Sequence, residues 1–248
     1  MLSYQAMPWD FVLILVVLGV LVPWRGAVRV RELLAAPALS TMDRLTIYAS
    51  TIAMQWALAA LVAWRCFAHG ISLREVGIAV PYAGLTFAVT ATLTLLLAAQ
   101  QLFSLRALSR VARAEQGFVG EMARKLLPQD SLEALAFVGL VVTVAVCEEF
   151  LYRGFVFAAF HRAFGDSPAA AIAGSALLFA AAHAYQGRRG IVVTLVVGLI
   201  FAAVRLWTGS LVAPMIAHLV TDLMAGLLAP RMLRGAPAEI ESSDATVD

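Results

Sequence analysis

Two adjacent glutamates and an arginine interrupt an otherwise apolar run of this sequence, at Glu148, Glu149 and Arg153. A charge at the centre of a bilayer costs about 2.5–3.5 kcal/mol on insertion scales, so ionisable residues there usually face a protein interior and serve a function. Glu149 and Arg153 are four residues apart, which places them on one face of a helix. We therefore expect Arg153 to hold Glu149, and Glu148, one step round the helix, to be free for chemistry.

Two of the four histidines, His183 and His218, also lie inside apolar runs. The other two, His69 and His161, lie in connections between the predicted spans, where we expect exposed structural roles. His183 follows Phe179 by one helical turn. His218 precedes Asp222 by the same spacing, so each pair can share a helix face. A single buried histidine is more often a core residue than a catalyst. Two histidines and a carboxylate pair on three separate helices favour one shared site, because polar side chains in lipid pair with one another.

This set of side chains supports two kinds of chemistry. A glutamate and a histidine can polarise a water molecule for attack on a carbonyl group, and a second histidine with Asp222 can stabilise the oxyanion that develops. Two histidines and a glutamate also form a familiar catalytic zinc shell, whose ligands here would be Glu148, His183 and His218. The sequence contains no His-Glu-x-x-His motif, which excludes a zincin site.

The composition indicates a membrane protein. Of 248 residues, 62% are hydrophobic and only 14% are charged, and the mean hydropathy is +0.86. The apolar residues form blocks long enough to cross the hydrocarbon core, which takes about 17–25 residues of helix. The composition therefore predicts an all-α, polytopic transmembrane bundle and gives no indication of nucleic-acid binding.

About seven spans are predicted, and an eighth, re-entrant or broken helix stays an alternative. The predicted spans lie at about 9–24, 45–64, 82–105, 132–160, 169–185, 190–207 and 211–230. The fourth is longer than the hydrocarbon requires, so one end should project into an interface. We divide the chain into three N-terminal spans with an interfacial helix (1–131), a catalytic core of four spans (132–230) and a disordered tail (231–248).

The connection between the third and fourth predicted spans is basic and amphipathic. From about 106 to 129, apolar residues recur at helical spacing among several arginines and one lysine, which predicts a helix lying on the membrane surface. Pro128 should end this helix. Asp130, followed three residues later by Glu133, predicts a capping box that opens the fourth span.

The distribution of basic residues predicts the orientation in the membrane. If the N-terminus is outside and seven spans follow, most arginines and the lysine fall in cytoplasmic segments, as the positive-inside rule requires. The C-terminus is then cytoplasmic. Because Arg outnumbers Lys and Ala is abundant, we expect a bacterial source and the inner (plasma) membrane as the location.

The charged motifs resemble those of the CAAX prenyl protease and bacteriocin-processing family of intramembrane proteases. The family signature consists of Glu-Glu-x-x-x-Arg, then Phe-x-x-x-His, then His-x-x-x-Asn or a variant with Asp. All three motifs occur here in order, with the residues Glu148, Glu149, Arg153, Phe179, His183, His218 and Asp222. The lead-in at 208–211 is also similar, and the resemblance covers about 132–228.

The resemblance implies hydrolysis of a peptide bond within or beside the membrane. Glu148 would be the general base, and His183 would help to activate the water. His218 with Asp222 would form the oxyanion site, although an ionised Asp in place of the usual Asn cannot donate a hydrogen bond and would have to orient the histidine or be protonated in a dry site. The supporting residues would be Glu149, Arg153 and Phe179, of which the first two hold the geometry.

The resemblance also bears on cofactors and partners. Members of the family have been described as metalloproteases, but a metal-free glutamate mechanism is favoured for relatives, so we expect no cofactor and keep Zn as the alternative. The expected partners are the lipid bilayer and a membrane-anchored protein or peptide substrate. Two other functions stay open: a non-proteolytic accessory or immunity protein of the same fold, and a proton-coupled transporter with a Glu-His relay. The second lacks the internal repeat that many transporters have.

Overall fold

The computed structural model describes residues 7–234, apart from the side chains of residues 113, 114 and 234, and every regular element in this range is helical. We number the helices in chain order. Their bounds are α1 Trp9–Ala35, α2 Thr41–Ala68, α3 Ala83–Ser109, α4 Gly117–Leu126, α5 Ser131–Ala163, α6 Pro168–Ala182, α7 Gly187–Thr208 and α8 Val212–Arg234. Short 3₁₀ turns, Arg113–Gln116 and Ala184–Gln186, precede α4 and α7.

The predicted polytopic helical bundle is confirmed. Six helices are long and apolar enough to cross a membrane, and α6, with 15 residues, is a shorter apolar helix. Those seven helices correspond to the seven predicted spans. Inside the bundle α2 packs on α5, α6 on α7, and α8 on both α3 and α5. Helix α6 also packs on the second half of α5, so α2, α6 and α8 all contact α5.

Two helices continue beyond their predicted ends. The first passes Trp24 and ends at Ala35. Pro23 is tolerated within it because it lies two residues after a π-helical segment, Val17–Leu21, where the regular hydrogen-bond ladder is already interrupted. The last passes Pro230 and reaches Arg234, and Leu233 there is buried. The predicted tail therefore begins later than residue 231, and its remainder, 235–248, lies outside the described residues.

The basic stretch at about 106–129 forms a shorter separate helix than the one predicted over its whole length. Helix α3 extends to Ser109, and only Gly117–Leu126 forms an independent helix, α4. Lys125 in α4 donates to the carbonyl oxygens of Leu33 and Ala36 at 3.2 and 2.6 Å, and so caps the end of α1. The location of α4 on the membrane surface stays a prediction.

The start of α5 is capped differently from the predicted capping box. Asp130 accepts from the backbone N–H of Glu133 at 2.9 Å, as predicted. The Glu133 carboxylate does not return to Asp130, however, and this half of the prediction is wrong. It accepts instead from the Gln129 backbone N–H and from Arg44 of α2, with two N–H···O contacts of 2.8 Å. A buried, bidentate ion pair thus joins α2 to α5.

At the opposite end of the bundle, polar contacts tie the α2–α3 connection to the other helices. Glu75 in this connection accepts from Arg162 at the end of α5, and its backbone carbonyl accepts from Arg205 of α7 at 2.6 Å. Burial raises the pKa of Glu75, but hydrogen bonds from Ser72 and the Arg162 guanidinium outweigh it, so the pKa lies below its ordinary value. The connection is therefore an ordered part of the fold.

A second polar cluster at this end joins α1 to α2. Arg65 Nε donates to Asp10 Oδ2 at 2.6 Å, and His69 Nε2 lies 2.9 Å from the same oxygen. The Phe11 ring meets the His69 ring edge-on, at 4.8 Å between centroids. His69 has the structural role expected of it, but it is half-buried rather than exposed.

Candidate active site

The centre of the candidate site is a change of helix type inside α5. The α-helical part ends at Glu148, and residues Glu149–Val156 form a π-helical segment before the helix resumes. π-Helical turns inside α-helices occur frequently at functional sites. Here the segment turns Glu149 and Arg153 into the protein, and both side chains are 0% exposed.

Glu149 is held by two donors from different helices. Arg153 Nη1 donates to Glu149 Oε1 at 3.0 Å, as the four-residue spacing predicted. His218 of α8 places Nδ1 2.9 Å from the same oxygen. The second nitrogen of His218, Nε2, faces Asp222 Oδ2 at 3.4 Å. The histidine therefore lies between two carboxylates, one buried and one 40% exposed.

Aromatic rings surround the buried guanidinium. Arg153 Cζ lies 3.9 Å from the centroid of the Phe179 ring and 5.3 Å from that of Phe201. Its Nε and Nη2 atoms have no hydrogen-bond partner among the described residues. Cation–π contact is stronger where the cation is removed from water, so the two rings supply much of the stabilisation that hydrogen bonds do not.

His183 is positioned by the end of α6. The helix ends at Ala182, and His183 Nδ1 bonds the backbone carbonyl of Phe179 at 2.9 Å. Because a carbonyl only accepts, Nδ1 carries the proton, and Nε2 of the neutral ring is left as an acceptor. The Phe179 ring packs against the imidazole, with 4.4 Å between centroids. This fixes the direction in which Nε2 points.

Glu148 faces that nitrogen across a short gap. Its Oε2 lies 3.9 Å from His183 Nε2 and has no hydrogen-bond partner among the described residues. The other oxygen, Oε1, accepts from Gln55 Nε2 of α2 at 3.0 Å. A separation of 3.9 Å is too long for a direct hydrogen bond and suits a bridging water.

One continuous series of contacts joins all the predicted site residues. It runs through Asp222, His218, Glu149, Arg153, Phe179, His183 and Glu148. The three pairs expected from helical spacing lie together. Contacts that were not expected include His218 to Glu149, Arg153 to Phe179 and Phe201, and Gln55 to Glu148.

Residues 130–224 match the family model described as Type II CAAX prenyl endopeptidase Rce1-like. The matched residues, 130–224, are called the CAAX protease segment below, after the family to which they are similar. The family resemblance predicted from the three motifs is thereby confirmed, and all seven motif residues lie within the CAAX protease segment. No curated protein and no solved structure matches the chain.

The residues named for zinc do not fit a metal ion in this arrangement. Both ring nitrogens of His218 are directed at carboxylates, Glu149 and Asp222, and a nitrogen that donates to a carboxylate has no lone pair for a metal. Within residues 7–234, no three His, Cys, Asp or Glu side chains are grouped to hold a metal. We therefore assign no reaction step to a metal.

Sequence reasoning missed several residues that contact the site, among them Gln55 and Phe201. Gln55 lies outside the CAAX protease segment, on α2, and Phe201 lies on α7. Phe201 carries no signal, because it is one apolar residue among many. Gln55 does carry one: it is a neutral polar side chain inside an apolar span, and such residues usually bond to a partner within the protein.

Proposed function

We propose that the chain is an intramembrane endopeptidase that hydrolyses a peptide bond of a membrane-associated protein or peptide. The observation that carries this proposal is the 3.9 Å gap between Glu148 Oε2 and His183 Nε2. Both atoms accept hydrogen bonds, and neither donates one to the other. A water molecule has two protons to offer, so it satisfies both acceptors and presents its oxygen lone pair to a carbonyl carbon.

The reaction then follows from the positions of these two acceptors. The water oxygen attacks the peptide carbonyl carbon, and the proton that it loses passes to Glu148. The tetrahedral intermediate collapses with cleavage of the C–N bond, and the same proton moves to the leaving nitrogen. The products are a new carboxylic acid and a new amine, between which a proton then passes to give the carboxylate and the ammonium group, and Glu148 returns to its ionised form.

His218 and Asp222 divide the remaining work in this proposal. Each nitrogen of His218 faces a carboxylate, so the ring carries protons on both. The bond to Glu149 is short at 2.9 Å, and the approach to Asp222 is long at 3.4 Å, which leaves the Nε2 proton available to a developing oxyanion. Asp222 therefore orients His218 and does not itself donate to the oxyanion.

The similarity of the segment to a protease family supports hydrolysis as the reaction class. The prenylated substrates in the family's description are a property of that family, and our proposal extends only to membrane-associated polypeptides. Glutamate chemistry is proposed in preference to zinc because the Glu148 and His183 acceptors suit a water, whereas both nitrogens of His218 are directed at carboxylates.

The test compares wild type with Glu148→Gln and His183→Ala. New peptide termini that appear in membranes of cells making the wild-type protein identify a cleaved polypeptide, which then serves as the substrate for purified protein in liposomes. Both variants should fold and accumulate normally but lose about 10²–10⁴-fold in kcat, the contribution of a positioned acid–base group. Glu121→Gln, on the distant helix α4, is the matched control.

Further measurements distinguish the rival functions. Cleavage in ¹⁸O-labelled water should place one label in the new carboxylate, and a chelator should leave the rate unchanged. Normal cleavage by both variants would contradict the assignment. If Glu148→Gln instead preserves the cellular phenotype while no termini depend on the protein, a non-proteolytic accessory role is favoured.

A further inference from the structure

The two adjacent glutamates of α5 receive different donors. Glu149 Oε1 accepts from the guanidinium of Arg153 and from His218, and its carboxylate is completely buried. Glu148 Oε1 accepts from the amide of Gln55, a neutral group, at 3.0 Å. A carboxylate held by cations is a poor base, whereas one held by a neutral donor keeps more of its basicity.

We propose that Gln55 is a positioning residue for Glu148, resting on the proposed function. The amide holds Oε1, which fixes the rotation of the carboxylate and directs Oε2 toward His183 Nε2. Gln55 would therefore act through Glu148 without touching the substrate. This assigns a role in the reaction to α2, a helix that lies wholly outside the CAAX protease segment.

The chemistry of the contact determines which end of the amide faces Glu148. An ionised carboxylate only accepts hydrogen bonds, so Gln55 must present its NH₂ group and not its carbonyl oxygen. A lysine or arginine at this position would supply a stronger donor but would pair with Glu148, as Arg153 pairs with Glu149. A neutral donor of this length meets both requirements: it orients the carboxylate and leaves it able to take a proton.

The packing of α2 against α5 keeps Gln55 in place. The neighbouring Trp56 donates from Nε1 to Thr143 Oγ1 of α5 at 3.1 Å. Eleven residues before Gln55, Arg44 forms the buried ion pair with Glu133 of α5. Helix α2 is therefore joined to α5 at two further points, and the Gln55–Glu148 contact is one of several between these helices.

The kinetic test uses Gln55→Leu and Gln55→Glu in the full-length protein, with the substrate identified from the new termini. Gln55→Leu removes the donor at nearly constant volume and should lower kcat about 10–100-fold with KM unchanged, because the base is no longer held in line. Gln55→Glu keeps the shape but places a second acceptor against Glu148, so it should lower kcat further. Gln55→Asn should retain more activity than Gln55→Leu, since it retains a shorter amide.

Trp56→Phe is the matched control. It removes a hydrogen bond between the same two helices, one residue away, without touching the carboxylate. A role for Gln55 in packing alone predicts equal effects of Gln55→Leu and Trp56→Phe on kcat. Equal effects would overturn the proposal, as would a Gln55→Leu enzyme with wild-type kcat.

An infrared measurement needs no substrate. The carboxylate stretching band of Glu148 is identified as the one that disappears in Glu148→Gln. In Gln55→Leu this band should shift, because the Oε1 hydrogen bond is lost, and in Trp56→Phe it should not. An unshifted band in Gln55→Leu would overturn the contact itself. A shifted band together with normal cleavage by Glu148→Gln would show that the contact exists and that the proposed function is wrong.

Discussion

The two parts of the bundle contribute differently to the candidate site. The CAAX protease segment, residues 130–224, supplies every motif residue, from Glu148 to Asp222. The N-terminal part, α1 to α4, supplies one direct contact to a motif residue, the Gln55 amide, among the described hydrogen bonds and ion pairs. The reacting groups thus belong to one segment, and part of their orientation comes from the other.

Two buried ion pairs, one inside the site and one between the two parts, show the same division between chemistry and folding. Arg153–Glu149 lies inside the site, and Glu149 also contacts His218, so this pair affects both folding and chemistry. Arg44–Glu133 joins α2 to the start of α5, about four turns from Glu148. This second pair should affect folding alone. Substitutions in the two pairs therefore test whether chemistry is confined to the segment.

The largest effect is expected from Arg153→Met. It leaves Glu149 as a buried carboxylate without its guanidinium, and breaking a buried pair from one side costs about 3–5 kcal/mol in the free energy of unfolding. Activity of the remaining folded protein should also fall, because Glu149 orients His218. The measurements are thermal unfolding in detergent and kcat. A variant with wild-type stability would show that the pair contributes nothing to the fold.

A smaller effect is expected from Arg44→Met. Glu133 keeps its hydrogen bond from the Gln129 backbone, and the Arg44 side chain is 10% exposed, so some water reaches the pair. We expect a loss of about 1.5–3 kcal/mol, the range for hydrogen bonds to charged groups, with no change in kcat of the folded fraction. Arg44→Met combined with Glu133→Leu should recover part of this loss.

Arg44→Met also tests whether the N-terminal part affects the reaction through Gln55 alone. A fall in kcat without a fall in stability would mean that the N-terminal part controls chemistry through more than Gln55. The register of α2 on α5, and not the Gln55 amide alone, would then determine kcat.

Much of the segment could be predicted from sequence, because its signals are local. The spacing of Glu149 and Arg153, and the Asp130 cap, each depend on helical geometry over a single turn, and the structure has both contacts. Apolar runs of sufficient length likewise predicted the bundle. Local periodicity carries this information without knowledge of the packing.

The rest depends on contacts between distant parts of the chain. The π-helical segment Glu149–Val156 has no sequence signature, since it shifts hydrogen bonds by one residue without any special residue type. Gln55 and Glu148 are 93 residues apart, so their contact depends on how α2 packs on α5. Glu133 likewise pairs with the distant Arg44 and does not complete the local capping box. At Glu133, therefore, a tertiary partner prevailed over the local one, whereas Glu149 kept its local partner Arg153 and gained His218 as a tertiary one.

The smallest expected effect lies far from the site, at Glu75. Hydrogen bonds from Ser72 and the Arg162 ion pair lower the pKa of Glu75 below 4.5 despite partial burial. A carboxylate whose folded-state pKa is depressed stabilises the protein above its unfolded-state pKa, and this contribution is lost as the pH falls through the folded-state value. Wild type should therefore exceed Glu75→Gln in melting temperature at neutral pH, and the difference should shrink below about pH 4.5.

The measurement is thermal unfolding of both proteins from neutral to acidic pH, with kcat at neutral pH. The control is Glu115→Gln, at an exposed residue. Its difference in melting temperature from wild type should not depend on the Glu75–Arg162 ion pair. Glu75 contacts Arg162 and Arg205, which lie at the end of the bundle away from the Arg44–Glu133 pair, so its replacement should leave kcat unchanged. A melting-temperature difference that grows on acidification would contradict the depressed pKa of Glu75, because it would require a carboxyl that is stabilised in its protonated form.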